Sequence, residues 1–351
     1  MKNKKLFTQI LLSWNRNENK REMPWKGEKD PYKIWISEIM LQQTRVHQGI
    51  GYYHRFIKSF PDVETLAQTA QQKVFKHWEG LGYHSRCRNL IASAKFITEK
   101  LNGKFPGNYD DILALKGIGV YTASAIASFA YNQAYAVVDG NVSRVLSRFF
   151  GIEVPVDTGE GMKLYSSLAG GLLDQKNPGI YNQAIMDFGA IVCKPLQPLC
   201  EACPLQRNCV AFKEKKVNIL PLKKKSINRR GRFFTYLIVE YNNAVYVRKR
   251  MAKDIWQGLH EFMLIETKKL ITERRLRQKK TFSALFNGDD FIITHISKTF
   301  SQQLTHQTIT GKFLNIRLAR PLETNGNYRL ISWEELELLP FPKFITSYLT
   351  D

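Results

Sequence analysis

The sequence is short of acid. It holds 31 Asp and Glu against 52 Lys and Arg, a formal net charge of +21 over 351 residues. Such an excess does little for folding and favours a polyanionic partner, nucleic acid before an anionic membrane. Long apolar runs are missing: none approaches the ~20 residues of a membrane span, so no membrane partner is expected. The basic Met1–Lys5 and the apolar Leu6–Trp14 faintly resemble a signal peptide. Thr8 and Gln9 interrupt that run and no small-residue cleavage site follows, so an amphipathic first helix is expected. Cysteine is scarce. There are five, an odd number, and four fall within Cys193–Cys209. That is a poor disulfide framework for so long a chain, and it points to a metal site in a reducing cytoplasm. With 44% hydrophobic and 12% aromatic residues, wholesale disorder is excluded. The length suggests two domains rather than one.

Residues 1–212 show helical periodicity: Leu66, Ala70, Val74 and Trp78 in one stretch, Ala123, Ile126, Ala127 and Ala130 in another. Breaks at Phe60-Pro61, Gly80-Leu81-Gly82, Phe105-Pro106-Gly107 and Gly117-Ile118-Gly119 divide them. An all-α domain of about ten short helices is expected. Lys215–Arg232 carries eight Lys or Arg and no acid, so residues 213–232 read as an exposed basic linker. Beyond it, Phe233–Glu240 and Ala244–Arg250 are β-rich runs across an Asn242-Asn243 turn. Gly311–Leu318 alternates again, and Ser332-Trp333-Glu334-Glu335 is a capping-box helix start. Residues 233–351 therefore form a second domain of α+β class.

Cys193, Cys200, Cys203 and Cys209 follow the spacing C-x6-C-x2-C-x5-C. Four thiolates this close can surround one metal centre. Structural zinc usually takes two close pairs, and only Cys200 and Cys203 form one, so a four-iron cluster is favoured over zinc. Cys87 reads as a small buried apolar residue. The Lys116-Gly117-Ile118-Gly119-Val120 turn lies between two helical stretches. Its glycines permit positive φ and bring backbone N–H groups to a helix N-terminus, a natural anion site. This is the outline of a helix–hairpin–helix DNA-binding element.

Two carboxylates stand out. Glu38 sits among apolar residues in Ser37–Arg45, and Asp139 lies in Val137-Val138-Asp139-Gly140-Asn141. Breaking an N-glycosidic bond needs a proton for the leaving base and negative charge beside the cationic sugar. One neutral acid and one carboxylate suffice if their environments split their pKa values. Glu38 is the better acid and Asp139 the better charge stabiliser. Periodicity alone equally allows Glu38 as a helix-surface acid and Asp139 as a helix N-cap.

Together these motifs resemble the endonuclease III superfamily of base-excision DNA glycosylases. Within it they resemble the adenine-specific mismatch glycosylases, the MutY family. The resemblance rests on Pro24-Trp25, Asp30-Pro31-Tyr32, Trp35-Ile36-Ser37-Glu38 and Met40-Leu41-Gln42-Gln43-Thr44, then Gly80-Leu81-Gly82-Tyr83 and the glycine hairpin. Val138-Asp139-Gly140-Asn141 and Asn182-Gln183-Ala184 before the four cysteines complete it. It implies a multidomain fold: an all-α helix–hairpin–helix glycosylase domain with a [4Fe-4S] loop at 193–209, then a Nudix-like domain. It implies removal of adenine mispaired with 8-oxoguanine or guanine in double-stranded DNA, by a monomeric protein of the bacterial cytoplasm, acting at the nucleoid.

By the same resemblance Glu38 protonates adenine and then activates water, and Asp139 stabilises the oxocarbenium-like sugar. Tyr121 and Asn141 support these acids. Trp25 and Gln183 line the base pocket. Gln42 and Tyr83 wedge into the duplex, with Gln43, Gly117 and Gly119 also on DNA. The bifunctional branch has Lys where Tyr121 stands. A phenol cannot form a Schiff base, so the chain is expected to be monofunctional, and Ser143, where some relatives carry Lys, agrees. The alternative is an endonuclease III-like glycosylase-lyase acting on oxidised pyrimidines. In the C-terminal region, Trp256–Phe262 fits the start of the Nudix-like domain, and no catalytic glutamate box follows. Leu304-Thr305-His306 falls where the family has Phe-Ser-His on 8-oxoguanine, so Thr305 and His306 are its expected readers. Lys26 replaces the usual Arg, keeping charge without the bidentate fork.

Overall fold

A computed structural model describes residues 2–224, 228–286, 291–324 and 326–351. Residues 225–227 of the expected linker lie outside them. The chain divides into two compact units, Met1–Gln68 with Asn89–Lys225, and Thr69–Arg88 with Ser226–Asp351. The glycine-broken segment that carries Tyr83 thus groups with the C-terminal residues.

The first unit is helical. It holds α1 (Lys2–Asn17), α2 (Pro31–Leu41), α3 (Val46–Ser59) and α4 (Val63–Gln68). α5 (Gln71–Trp78) and the first turns of α6 (His84–Lys100) belong to the other unit. α7 (Tyr109–Ala114), α8 (Val120–Tyr131), α9 (Gly140–Phe150), α10 (Gly159–Leu172), α11 (Pro178–Ile191) and α12 (Val210–Lys213) complete the first. The periodicity across Leu66–Trp78 is not one helix. Ala70 is extended, at ψ 131, and serves as the N-cap of α5. In α1, Phe7, Leu11 and Trp14 recur at helical spacing and are buried. They pack with Val145, Phe149 and Phe188 in a core of α1, α9, α10 and α11.

The second unit is built on an eight-stranded mixed sheet among the described residues. Its strands are β1 (Arg230–Tyr241), β2 (Ala244–Lys249), β3 (His260–Glu261), β4 (Met263–Thr267), β5 (Phe291–Ile296), β6 (Phe300–Gln303), β7 (Gln307–Leu318) and β8 (Arg329–Ser332). The main order is β3-β2-β1-β7-β5. β1 and β7 run parallel, with Phe234 opposite Gly311, and the other pairs are antiparallel. β1 starts at Arg230, inside the stretch read as linker. Asn242 and Asn243 take φ of +45° and +58°, the double left-handed turn that a two-residue hairpin needs. Helices α13 (Glu273–Arg277), α14 (Lys280–Phe286), α15 (Trp333–Glu337) and α16 (Lys343–Leu349) complete it. Ser332 and Glu335 form the expected capping box on α15.

Candidate active site

Asp30 starts α2 by accepting from the Tyr32 backbone N–H at 2.9 Å, and Pro31 occupies its first turn. The helix is then buried on nearly every side, from Tyr32 to Met40. This settles one open alternative: Glu38 is 5% exposed, not a helix-surface acid. It lines a cleft of about 690 Å³ with Trp25, Lys26, Ser37, Ile180 and Gln183, a size suited to a small organic group. Burial pushes the Glu38 carboxyl up to about 7; a hydrogen bond with Tyr121 opposes this and the Asp139 charge adds to it.

Tyr121 sits in the first turn of α8, whose following residues, Thr122–Ser128, are buried and mostly small. α8 packs against α2. Burial pushes its phenol well above the usual range, so it stays protonated and donates to Glu38. Its hydroxyl also lies 4.0 Å from Met186 Sδ.

Asp139 is the N-cap of α9. Oδ1 accepts from the Val142 N–H at 2.7 Å and Oδ2 from Asn141 Nδ2 at 2.8 Å. Burial raises its pKa, while the bonds from Val142 and Asn141 work against that rise. The two acids are thus unequally supported. Glu38 has one phenol; Asp139 has amide donors that favour its charged form. The structure brings Glu38, Tyr121, Asp139 and Asn141 together, although of these only Glu38 forms part of the cleft wall.

The glycine hairpin divides its labour. Gly117 has φ +83°, and a Cβ there would come 2.6 Å from that of Asn89. Gly119 has an ordinary φ of −103° and caps α8. A Cβ there would meet nothing within 4 Å, so only Gly117 is required by the fold. Gln42 ends α2 and reaches Thr122 Oγ1 at 3.3 Å, while Gln43 takes φ +59°. In the second unit Tyr83 takes φ +48° and is exposed. Its hydroxyl is 2.5 Å from Thr305 Oγ1. Thr305 and His306 form the turn between β6 and β7. Two residues expected at the lesion therefore meet.

Cys193, Cys200, Cys203 and Cys209 line one small cavity with Arg148. Burial and the neighbouring thiols push Cys203 up to about 12. No group of three or more His, Cys, Asp or Glu among the described residues is placed to hold a metal ion. Four sulfurs around a cavity, rather than converging on a point, suit a bulky cluster better than zinc.

Sequence reading missed the cations that tie this loop down. Arg148 NH1 lies 3.4 Å from Cys193 Sγ and donates to Lys194 O at 2.7 Å. Arg144 donates to Cys193 O at 2.8 Å and to Asn141 Oδ1 at 2.8 Å. Both are buried and stand one turn apart on α9. Asp187, buried on α11, was missed too.

The HhH-GPD superfamily of base excision DNA repair proteins matches residues 36–164, and the NUDIX domain family matches 235–351. An adenine DNA glycosylase of Buchnera aphidicola (subspecies Schizaphis graminum) is 37% identical over 263 residues, covering 75% of this chain and 76% of the relative. The chain belongs to the adenine DNA glycosylase family. The human adenine DNA glycosylase is 42% identical over 215 residues, 58% of this chain and 39% of that longer protein. A thermostable thymine-DNA glycosylase structure aligns at TM-score 0.57 and 29% identity over 61% of this chain and 98% of its own. A structure of an endonuclease III–DNA complex aligns at TM-score 0.53 and 20% identity, over 60% and 97%, and shares the helical fold. No helix among the described residues is long and apolar enough to cross a membrane.

Proposed function

We propose that this base-excision glycosylase hydrolyses the N-glycosidic bond of adenine paired with 8-oxoguanine or guanine in duplex DNA, and is monofunctional. The observation that carries the reading is a cleft-lining carboxyl held near pKa 7 beside an amide-braced Asp139. Glu38 donates its proton to adenine N7 as the C1′–N9 bond breaks. The bonding electrons leave with the base, and the Asp139 carboxylate faces the cationic sugar. The Glu38 carboxylate then takes a proton from water as its oxygen adds to C1′. The base must leave the stack to reach the cleft, at a cost of a few kcal/mol. Tyr121 donates to Glu38 and has no amine with which to open the sugar.

Cys193, Cys200, Cys203 and Cys209 would hold a [4Fe-4S] cluster, which when bound supplies a rigid core for the loop. Arg144 and Arg148 fasten the same loop to α9. The Gly117–Gly119 hairpin presents backbone donors to phosphate. Gln42, Gln43 and Tyr83 contact the duplex, Trp25 and Gln183 the extruded base, Thr305 and His306 the 8-oxoguanine. The working domains are 1–212 and 233–351, joined by the basic 213–232, in a monomer acting at the bacterial nucleoid. Base release from a panel of mismatched and lesion-bearing duplexes tests this. Free adenine from 8-oxoguanine:adenine is expected, without borohydride trapping. Preferential release of oxidised pyrimidines with efficient trapping would replace this reading by a glycosylase-lyase.

A further inference from the structure

Asp187 takes no part in the chemistry above, yet four donors converge on it. It is 0% exposed. Arg21 NH1 lies at 2.7 Å, Lys26 Nζ at 3.1 Å, Asn19 Nδ2 at 2.9 Å and Gln183 Nε2 at 2.9 Å. Lys26 and Gln183 are also walls of the cleft that holds Glu38. One hidden carboxylate therefore grips two parts of the pocket at once.

Its grip on Gln183 has a chemical consequence. A side-chain amide has a donor end and an acceptor end. A carboxylate only accepts, so it can hold only the NH2 end. Turning the amide over would set its carbonyl oxygen against a buried carboxylate oxygen and lose the bond. The orientation is thus fixed, and Oε1, which has no partner among the described residues, is the amide atom left to the cleft. We propose that Asp187 is a positioning residue for base specificity. By holding the Gln183 amide, it presents a carbonyl acceptor that selects a purine with an exocyclic amine and rejects one with a keto oxygen there. This rests on the adenine-releasing reading and names what in the pocket distinguishes adenine.

Asp187→Asn provides the test. Asparagine keeps an acceptor for Arg21 and Lys26 but adds a donor, so the Gln183 amide can turn over and offer N–H to a keto base. Single-turnover release of adenine and of hypoxanthine is measured from otherwise identical duplexes, opposite 8-oxoguanine. The wild type should favour adenine, and D187N should reduce that ratio by about tenfold or more. Adding Gln183→Glu to D187N should restore the preference, because a carboxylate offers acceptors in either orientation. A purely structural role would slow both bases together and leave the ratio unchanged, which overturns the proposal. If D187N does not fold, Gln183→Leu decides: it leaves Asp187 its other three donors, and an unaltered ratio overturns the proposal equally. Failure of the wild type to release adenine at all would instead defeat the underlying reading.

Discussion

Each unit buries a glutamate beside a tyrosine. In the helical unit Glu38 is 5% exposed and bonded by Tyr121; in the sheet unit Glu261 is 1% exposed and bonded by Tyr236. The difference is cationic. Glu261 accepts from Arg248 at 2.9 Å and pairs with the buried Arg250. No cation pairs with Glu38 among the described residues. Charge left unpaired in a dry site is costly, so Glu38 resists ionisation and keeps a proton to give. Charge met by guanidinium is satisfied, and the pair becomes part of the scaffold. The same side chain is an acid in one place and a strut in the other.

Reciprocal substitutions would break or sharpen that contrast. Glu38→Gln should cut single-turnover adenine release by about 10³-fold or more, because an amide cannot deliver the proton, while duplex binding in a gel-shift assay holds. Asp139→Asn comes next. Asparagine caps a helix as well as aspartate does, so helicity by circular dichroism should stay, while release falls by about 10²–10³-fold with the lost charge. Glu261→Gln should do the opposite of Glu38→Gln. It leaves Arg250 buried with less counter-charge and should cost about 3 kcal/mol, read as a lower denaturant midpoint, with release per folded molecule unaltered. A collapse of chemistry in Glu261→Gln at full stability would erase the distinction.

How much of this contrast could be read from residues alone is uneven. Asp139 was open to two interpretations, N-cap and charge stabiliser. Its geometry fits the first directly, and the amides of that cap are what oppose protonation, so the two are compatible. Glu38 looked like a surface acid because one carboxylate in an apolar helix does not reveal that the helix is enclosed. The Asn242-Asn243 hairpin and the Ser332 capping box were legible because their physics is local. The grouping of Thr69–Arg88 with the C-terminal residues was not, since it depends on contacts such as Arg88 to Gln257 O at 2.6 Å and Glu79 to the Phe341 N–H at 2.8 Å, far apart in sequence. Arg144 and Arg148 left one signal: two cations a turn apart on a helix otherwise apolar on that side.

The smaller effects concern protons. Glu38 is raised from the ordinary glutamate value of 4.5 to about 7. Its neutral burial costs no charge desolvation below pH 4.5, and the penalty grows until pH passes about 7, where it corresponds to about 3 kcal/mol. Glu38→Gln should therefore raise the melting temperature at pH 8 and leave it nearly unchanged at pH 4. An equal shift at both pH values would mean Glu38 is not the group held neutral. Glu261, met by arginines, should give no such alkaline gain when replaced. The finest test is Tyr121→Phe. The phenol's hydrogen bond lowers the Glu38 pKa against burial and Asp139, so its loss should move the alkaline limb of the single-turnover profile to higher pH. At pH 7 more of the acid would then be protonated, yet the departing carboxylate would lack its donor. Release should fall by less than about tenfold while the limb shifts upward. A limb that moved down would show that the phenol, rather than burial, holds the proton on Glu38.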